Sequence, residues 1–302
     1  MRTIWKALSL ATSLVVSTGA LLVGLDAKTG EERWIFDLQG RSDRVSPAIV
    51  DGVLYLSDTA SVNAITLGDT PEWLWKTSLG DGDTSVVGNV VSVDDDYLFV
   101  TSRRPDIEAG PELKSIDIHV LNRADGSELY RYEMQARGGA YQVAVQNGML
   151  FGLASVEESD QDFAFALTID GAEQWRLDLP DIEGAVLASP AVTGDLVICS
   201  AGDRLLGLNA ATGETMWATA QLEPLSPALA LIDDVVYIGT NSLTSTKTLY
   251  AISANDGSIL KSIATGSERC HVIGVTDGVL ITDLGTRGGQ MTAFAANASE
   301  KA

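Results

Sequence analysis

An eleven-residue stretch that recurs along the chain constrains the fold more than any other feature. Residues 24–34 hold the first copy and residues 207–217 hold the second. In each copy an apolar strand ends, a tight turn follows, and the outgoing strand carries a tryptophan. Both copies have an acidic or amide residue, a glycine and a tryptophan at matching positions: Asp26, Gly30 and Trp34, then Asn209, Gly213 and Trp217. A unit repeated with such drift predicts a fold assembled from similar blocks.

A short apolar hairpin accompanies this repeat. Residues 48–50 and 53–56 are apolar runs on either side of Asp51-Gly52. Asp-Gly is a favoured pair for a two-residue type I′ turn, because both central residues need a positive φ. Five further hairpins have turns at residues 94–96, 146–148, 193–195, 233–234 and 276–278. This spacing, roughly 40 to 50 residues, matches one blade of a β-propeller.

The remaining parts of each repeat predict four antiparallel strands. After each hairpin come a third strand, a turn and a fourth strand with a large side chain, which is the pattern of propeller blades. Ser-Pro-Ala precedes three of the hairpins, and proline is confined to the start or edge of a strand. We therefore predict an all-β fold: a single β-propeller of four-stranded blades over residues 1–295. We expect seven blades, the last without an outer strand, and a tail at residues 296–302.

The first twenty residues allow two interpretations. A positive start, an apolar middle and a small-residue end resemble a secretory signal peptide. The middle is diluted by Ser9, Thr12 and Ser13, and counting one repeat back from Asp51 places a hairpin there. We therefore expect residues 1–20 to form strands of the first blade, and a cleaved signal peptide is the alternative.

The charge and the cysteine content exclude several function classes. A formal charge of −21 argues against nucleic-acid binding through phosphate neutralisation, and suits a soluble, monomeric protein. Both a salt-rich habitat and an ordinary acidic protein fit this composition. Cys199 and Cys270 cannot define a disulfide framework, and the apolar run before Cys199 indicates a buried free thiol. No stretch is apolar enough for a convincing membrane span.

The unit with Asp26, Gly30 and Trp34 resembles the repeat of the pyrroloquinoline-quinone-like propellers. The resemblance is close there, fair at residues 207–217 and weaker elsewhere, and it extends over nearly the whole chain. It implies a quinoprotein-like or BamB-like propeller in which the repeated residues dock neighbouring blades: Asp26, Gly30, Trp34, Trp175, Gly213 and Trp217. It also implies a place in the cell envelope or outside the cell.

The same resemblance implies what a quinone enzyme of this family would need. Its alcohol dehydrogenases have adjacent cysteines stacked on the cofactor, whereas Cys199 and Cys270 are far apart in sequence. We find no carboxylate and amide set for the calcium ion. We therefore expect neither pyrroloquinoline quinone nor metal. The resemblance favours a non-catalytic scaffold that binds a protein through its loop face. A quinone-dependent oxidoreductase with the cofactor in the central channel and a ligand-sensor domain are the alternatives.

Two loops that join second to third strands are longer than the rest. The loop over residues 102–112 contains Arg103-Arg104, the one paired basic site, and the loop over residues 156–162 contains Glu157-Glu158. Loops on a rigid scaffold are where partners usually bind, so these four residues are the candidate partner-binding residues. Ser-His-Asp sets and phosphate loops are not evident. Cys270-His271 lacks the third ligand that a metal site would need, so we expect structural roles for these residues and for His119. We expect no catalytic residue.

Overall fold

The computed structural model describes a chain of β-strands. The described residues are 6–10, 13–17, 20–26, 29–38, 48–57, 61–79, 91–93, 96–105, 114–135, 143–156, 161–179, 190–240, 247–265, 270–276, 279–283 and 291–295. Within these ranges every regular element is a strand, and the strands form seven antiparallel sheets. Six sheets have four strands in chain order, and the seventh has three. The prediction of an all-β fold built from four-stranded repeats is confirmed.

The first three sheets include the strands that precede residue 136. Sheet 1 consists of β1 (Lys6–Leu10), β2 (Ser13–Ser17), β3 (Leu21–Asp26) and β4 (Glu32–Asp37). Sheet 2 consists of β5 (Ala48–Val50), β6 (Val53–Ser57), β7 (Ser61–Thr66) and β8 (Glu72–Ser78). Sheet 3 consists of β9 (Val91–Val93), β10 (Tyr97–Pro105), β11 (Lys114–Asn122) and β12 (Glu128–Gln135).

The other four sheets follow the same plan. Sheet 4 consists of β13 (Val143–Gln146), β14 (Met149–Val156), β15 (Gln161–Thr168) and β16 (Glu173–Asp178). Sheet 5 consists of β17 (Ala191–Thr193), β18 (Leu196–Ala201), β19 (Arg204–Asn209) and β20 (Thr215–Ala218). Sheet 6 consists of β21 (Leu225–Ile232), β22 (Val235–Thr240), β23 (Thr248–Ser253) and β24 (Ile259–Ala264). Sheet 7 consists of β25 (His271–Thr276), β26 (Val279–Asp283) and β27 (Met291–Ala295).

The chain divides into two compact units. The first contains residues 1–145 and 154–159, and the second contains residues 146–153 and 160–302. In the first unit the leading strands β1, β5 and β9 are successive neighbours. In the second unit β17, β21 and β25 are neighbours in the same way. Sheets 1 to 3 in the first unit and sheets 5 to 7 in the second therefore meet at their first strands, as is expected of neighbouring propeller blades.

The hairpin turns have the backbone that the sequence requires. Asp51 and Gly52 have φ of 51° and 74°, and Asn147 and Gly148 have φ of 53° and 71°. Both central residues are thus left-handed, as a type I′ turn demands. In the N-terminal region β1 pairs with β2, and β2 pairs with β3, so residues 6–10 and 13–17 are strands of sheet 1. No helix in the described ranges is long and apolar enough to cross a membrane.

The core consists of apolar layers between consecutive sheets. In the first unit Val15 and Leu22 of sheet 1 pack with Leu54 and Ile65 of sheet 2. The opposite face of sheet 2 packs against sheet 3 through another buried layer. In the second unit one layer joins sheets 4 and 5, a second joins sheets 5 and 6, and a third joins sheets 6 and 7. Sheets 2, 5 and 6 therefore pack against neighbouring sheets through both of their faces.

Every fourth strand in the described structure carries a β-bulge. The register between the third and fourth strands shifts once in each of sheets 1 to 6, so two residues of the outer strand oppose one residue of its partner. The extra residue lies between two residues of the outer strand that pair with consecutive residues of the third strand. These bulge residues are Arg33, Leu74, Leu129, Gln174, Met216 and Leu260.

Candidate functional site

The sheets of the second unit are joined by tryptophans that lie on glycines. Trp175 of sheet 4 donates its Nε1–H to the carbonyl of Ala210 in sheet 5, at 2.8 Å, and its ring lies against Gly213. Trp217 of sheet 5 repeats the contact on sheet 6, where its Nε1–H reaches the carbonyl of Ala254 at 2.9 Å. The glycine has no Cβ, so the indole can cover the turn and satisfy a buried donor at the same time.

The first unit contains the same contact between sheets 2 and 3. Trp75 donates its Nε1–H to the carbonyl of Arg123 at 3.2 Å, and its ring lies against Gly126. The hydroxyl of Thr77 donates to the carbonyl of Gly126 at 2.6 Å. Both Trp75 and Thr77 belong to β8, so two side chains of one outer strand contact the same turn of the next sheet.

The aspartate and the first glycine of the repeat act within their own turn. The Asp26 side chain accepts from the backbone N–H of Thr29 at 2.9 Å and forms an ion pair with Arg33. Gly30 has a φ of 71°, and its N–H donates to the carbonyl of Asp26 at 2.8 Å. Trp34 covers Gly24 in the same sheet and packs on the layer between sheets 1 and 2. Asp26 and Gly30 thus shape the turn that starts the outer strand.

Arg123 links sheet 3 to the hairpin of sheet 2. Its Nε–H donates to the hydroxyl oxygen of Tyr55 at 3.0 Å, and its Nη2 lies 2.5 Å from the Asp51 carboxylate. These hydrogen bonds raise the pKa of Arg123, the bond to Asp51 contributing most. The ring of Tyr55 also packs against the ring of Trp75, with centroids 6.0 Å apart. The Arg123 guanidinium therefore connects the turn after β11 to strand β6 and to the turn between β5 and β6.

A buried serine, a buried histidine and an exposed glutamate form a hydrogen-bonded row in sheet 3. The Nε2 atom of His119 lies 2.6 Å from the Oγ of Ser102, and its Nδ1 lies 3.2 Å from Oε1 of Glu128. A carboxylate can only accept, so Nδ1 carries the proton and the Ser102 hydroxyl donates to Nε2. This is the order of groups found in nucleophilic triads. However, Ser102 and His119 are both 0% exposed, so no substrate can reach the hydroxyl in this conformation.

The surroundings of His119 keep the imidazole neutral. Burial is the largest cause and lowers the pKa of His119, and the neighbouring Arg131 acts in the same direction. Glu128 and Asp117 act against it and do not outweigh the burial. Asp117 is buried and has Arg131 at 3.7 Å. The sequence showed no such set, because Ser102, His119 and Glu128 are on three different strands. The one sequence feature that could have indicated a buried polar cluster is the alternation of polar and apolar residues in the run 116–120.

The two cysteines are free and buried, as the run before Cys199 indicated. Burial raises the pKa of Cys199 to about 12 and that of Cys270 to about 11. A thiolate is the reactive form, so both groups are unreactive while the fold is intact. A Cβ at Gly239 would lie 1.9 Å from the carbonyl oxygen of Cys270, so the residue before the first strand of sheet 7 lies directly against sheet 6.

The candidate partner-binding residues lie around the long loops. Arg103 and Arg104 are near the end of β10, and their side chains are outside the described residues, as is that of His271. Glu157 and Glu158 also fall outside the described residues. Residues with described positions contain no group of three or more histidine, cysteine, aspartate or glutamate side chains that could hold a metal ion.

Trp73 and Trp75 are two positions apart in the sequence, and strand alternation predicts that they share one face of β8. The structure shows that this prediction is wrong. Trp75 pairs with Ala64, whereas Trp73 pairs with Ile65, because the bulge at Leu74 breaks the alternation. Trp75 consequently faces sheet 3, and Trp73 lies against Phe36 of sheet 1, with ring centroids 5.2 Å apart. Simple two-residue periodicity holds only in an unbroken ladder.

Comparison with solved structures gives the same fold for distant proteins. BamB from Moraxella catarrhalis superposes with a TM-score of 0.61 at 16% identity, over 93% of this chain and 81% of that one. Quinohemoprotein alcohol dehydrogenase from Comamonas testosteroni gives a TM-score of 0.66 at 10% identity, over 98% of this chain and 66% of that one. The computationally designed Ika8 protein gives 0.62 at 14% identity, over 97% and 96%. These likenesses establish the β-propeller fold.

Sequence comparison identifies the family. No curated protein matches the chain in sequence. The sequence model of one protein family matches residues 114–272, which is more than half of the 302 residues. The match runs from β11 to the start of β25 and so includes both Trp-on-Gly contacts of the second unit. The chain therefore belongs to the family described as outer membrane protein assembly factor BamB.

Proposed function

We propose that this protein is a non-catalytic β-propeller scaffold of the cell envelope that binds another protein through its loop face. The observation that carries the proposal is the burial of its reactive groups. The Ser102–His119–Glu128 row has an inaccessible nucleophile, and both thiols are buried with a raised pKa. The family description, an assembly factor of the outer membrane, supports both a protein partner and an envelope location.

The architecture supports a rigid presentation of loops. Trp175 fixes sheet 4 to sheet 5, Trp217 fixes sheet 5 to sheet 6, and Trp75 fixes sheet 2 to sheet 3, each through one hydrogen bond and one glycine contact. Loops held by such a scaffold lose little conformational entropy on binding. The loop at residues 106–113 joins β10 to β11, and Arg103 and Arg104 on β10 stand where it begins. We propose that these arginines contact an acidic group of the partner.

Cross-linking in envelope extracts tests the location of the binding face. Lys114 begins β11 directly after the loop, and Lys261 lies on the outer strand β24. We expect an amine-reactive reagent to join partner peptides mainly to Lys114. The double substitution Arg103→Ala and Arg104→Ala should weaken binding of the purified partner by about thirtyfold, since two lost charge-assisted contacts of roughly 1 kcal/mol each amount to about 2 kcal/mol.

A matched control removes the same charge elsewhere. Arg33→Ala with Lys261→Ala also takes away two positive charges, both from outer strands, and we expect it to leave partner affinity unchanged. Equal weakening by the two pairs would mean that net charge alone governs binding, and the loop-face assignment would then be wrong.

Cofactor titration separates the scaffold from a quinone enzyme. Pyrroloquinoline quinone with calcium is added to the purified protein while tryptophan fluorescence is followed, with an apo-quinoprotein dehydrogenase as the positive control. The scaffold proposal expects no saturable quenching. Saturable quenching at micromolar cofactor would contradict it and favour an oxidoreductase.

A further inference from the structure

Lys247 is a buried lysine at the start of the third strand of sheet 6. Its side chain belongs to a residue that is 5% exposed, whereas the other lysines and arginines with described side chains are exposed or partly exposed. Lysine is rarely buried to this extent unless an opposite charge accompanies it, because removing an ammonium from water is costly. The position therefore calls for an anion.

The described part of the chain does not supply that anion. Each arginine with a described side chain has a carboxylate within 3.9 Å, and four of the five are exposed: Arg33, Arg123, Arg131, Arg176 and Arg204. None of the ion pairs between described residues includes Lys247. The exposed cations are thus paired and the buried one is not, although the buried one loses most by being unpaired.

Hydroxyl groups of two neighbouring strands fix the backbone at Lys247. Its carbonyl accepts from the N–H of Thr265 at 2.8 Å and from the Thr265 hydroxyl at 2.9 Å. The next residue, Thr248, donates its N–H to Oγ1 of Thr240 at 3.0 Å, and Thr240 is fully buried. The position of Lys247 is therefore imposed by the ladder of sheet 6.

The side chain of Lys247 is on the face of sheet 6 that meets sheet 7. Lys247 lies opposite Thr265, which extends the register of β23 with β24 by one residue. Residues two positions apart on a strand share a face, and Leu249 packs in the apolar layer with Cys270 and Val272. Alkyl groups and a thiol whose pKa is raised by burial do not neutralise an ammonium.

Lys247 also lies at the kind of strand end that the proposed loop face contains. Residues 241–246 join β22 to β23, so Lys247 follows a connection between a second and a third strand. Arg103 and Arg104 are at the corresponding connection of sheet 3 in the first unit. A group presented to such a connection in sheet 6 would therefore approach Lys247.

The charge of the molecule selects the class of anion. A net charge of −21 repels a doubly charged phosphate about twice as strongly as a singly charged carboxylate. A single ammonium neutralises one negative charge and leaves the second charge of a phosphate unpaired. A carboxylate is therefore the anion that matches this site.

We propose that Lys247 binds a carboxylate of the partner protein, either an acidic side chain or a C-terminus. The ammonium donates charge-assisted hydrogen bonds to the carboxylate oxygens, which offset the cost of its burial. Only the source of the carboxylate rests on the proposed function, because binding of a small carboxylate to the purified chain requires no partner.

Thermal unfolding in acetate tests the site in the purified full-length chain. Sodium acetate replaces sodium chloride at constant ionic strength, and inorganic phosphate is the comparison. We expect a saturable increase of the melting temperature, about 2 °C at roughly ten times the dissociation constant, because a ligand of the folded state stabilises that state. Phosphate should give a smaller increase. No increase in acetate, or a larger increase in phosphate, would overturn the proposal.

Lys247→Met removes the ammonium and keeps a flexible side chain of similar length. In chloride we expect this variant to melt at the temperature of the parent protein or above it, because an apolar group replaces an unpaired buried charge. Acetate should no longer raise its melting temperature. Lys261→Met is the matched control, since Lys261 is an exposed lysine of β24 in the same sheet, and it should respond to acetate as the parent does.

Two results with these variants would contradict the proposal. A lower melting temperature of Lys247→Met in chloride would mean that a carboxylate of the chain itself neutralises Lys247. Equal responses of Lys247→Met and Lys261→Met to acetate would place the anion elsewhere. Circular dichroism establishes that each variant is folded, and Lys247→Gln serves as a second neutral variant.

Two further carboxylates distinguish the sources. The N-acetylated α-amide of glutamate represents an acidic side chain, N-acetylalanine represents a C-terminus, and the lower half-saturating concentration identifies the source. With the purified partner, Lys247→Met should weaken binding by about tenfold, the loss of one charge-assisted contact. Unchanged partner affinity in Lys247→Met, beside weakened binding in the Arg103 and Arg104 double variant, would overturn the Lys247 assignment and leave the proposed function intact.

Discussion

The indole of Trp175 covers Gly213 so closely that a Cβ on the glycine would come within 2.7 Å of a ring carbon. The glycine also has a φ of 73°, a conformation that side chains disfavour. Two separate requirements, backbone freedom and close approach, therefore fall on one residue of the repeat.

Gly213→Ala should destabilise the protein far more than Gly30→Ala. Both glycines have left-handed φ, but a Cβ at Gly30 would meet nothing within 4 Å. The backbone cost is about 1 kcal/mol in each case, and overpacking against the indole adds about 1–3 kcal/mol at Gly213. Guanidinium denaturation of the two variants measures the difference. Equal losses would show that the ring moves aside without cost.

Arg123 should contribute to stability mainly through Tyr55 and little through Asp51. Tyr55 is 3% exposed, whereas the Asp51 side chain is 77% exposed. An exposed ion pair contributes about 0–1 kcal/mol, but a hydrogen bond to a charged group in a mostly buried site contributes about 1.5–3 kcal/mol. We expect Tyr55→Phe to lower the free energy of unfolding by about 1.5 kcal/mol and Asp51→Asn by under about 0.5 kcal/mol.

The double variant Tyr55→Phe with Arg123→Lys, compared with the two single variants, gives the interaction energy between Tyr55 and Arg123. Asn tolerates the positive φ of Asp51, so Asp51→Asn is a clean control for charge alone. A larger loss in Asp51→Asn than in Tyr55→Phe would reverse this ranking.

Acidification should weaken the fold through His119. Its folded pKa lies below the value of 6.5 for an unfolded chain, so the unfolded state binds the proton first. The stability is therefore complete above pH 6.5 and falls as the pH drops toward the folded pKa, by at most about 1.4 kcal/mol per pH unit. His119→Gln should reduce the pH dependence of the urea midpoint measured between pH 7 and 5. An unchanged slope in His119→Gln would assign the acid sensitivity to other groups.

The thiols of Cys199 and Cys270 should not react with a thiol reagent until the protein unfolds. Cys199 and Cys270 are 0% exposed, and burial raises the pKa of both thiols. We expect no modification by a disulfide reagent at pH 8 within an hour, and two equivalents in 6 M guanidinium. Rapid labelling of one thiol in native buffer would reveal local opening near it, and Cys199→Ser or Cys270→Ser would identify which.

Local rules predicted the turns and the repeat. The Asp-Gly pair at residues 51–52 requires two left-handed residues, and the structure has them. The same reasoning placed a three-residue turn at residues 193–195, whereas the structure ends β17 at Thr193 and turns over Gly194 and Asp195. Turn chemistry is a short-range property, so a sequence displays it directly.

The bulges and the row at His119 could not be predicted in this way. Leu74 leaves the ladder between Trp73 and Trp75, and nothing in an alternating run marks which residue will be skipped. Ser102 meets His119 because β10 and β11 pair in one particular register. That register depends on pairing across a long loop, which composition does not fix.

Sheet 5 carries both halves of the junction contact, since its turn offers Gly213 to Trp175 and its outer strand sends Trp217 to the carbonyl of Ala254. A copy of a sheet of this kind could therefore pack against another copy on either side, because each copy supplies both the glycine turn and the tryptophan. Gene duplication or loss of whole blocks of this kind can change the length of the protein while each new boundary inherits a working joint.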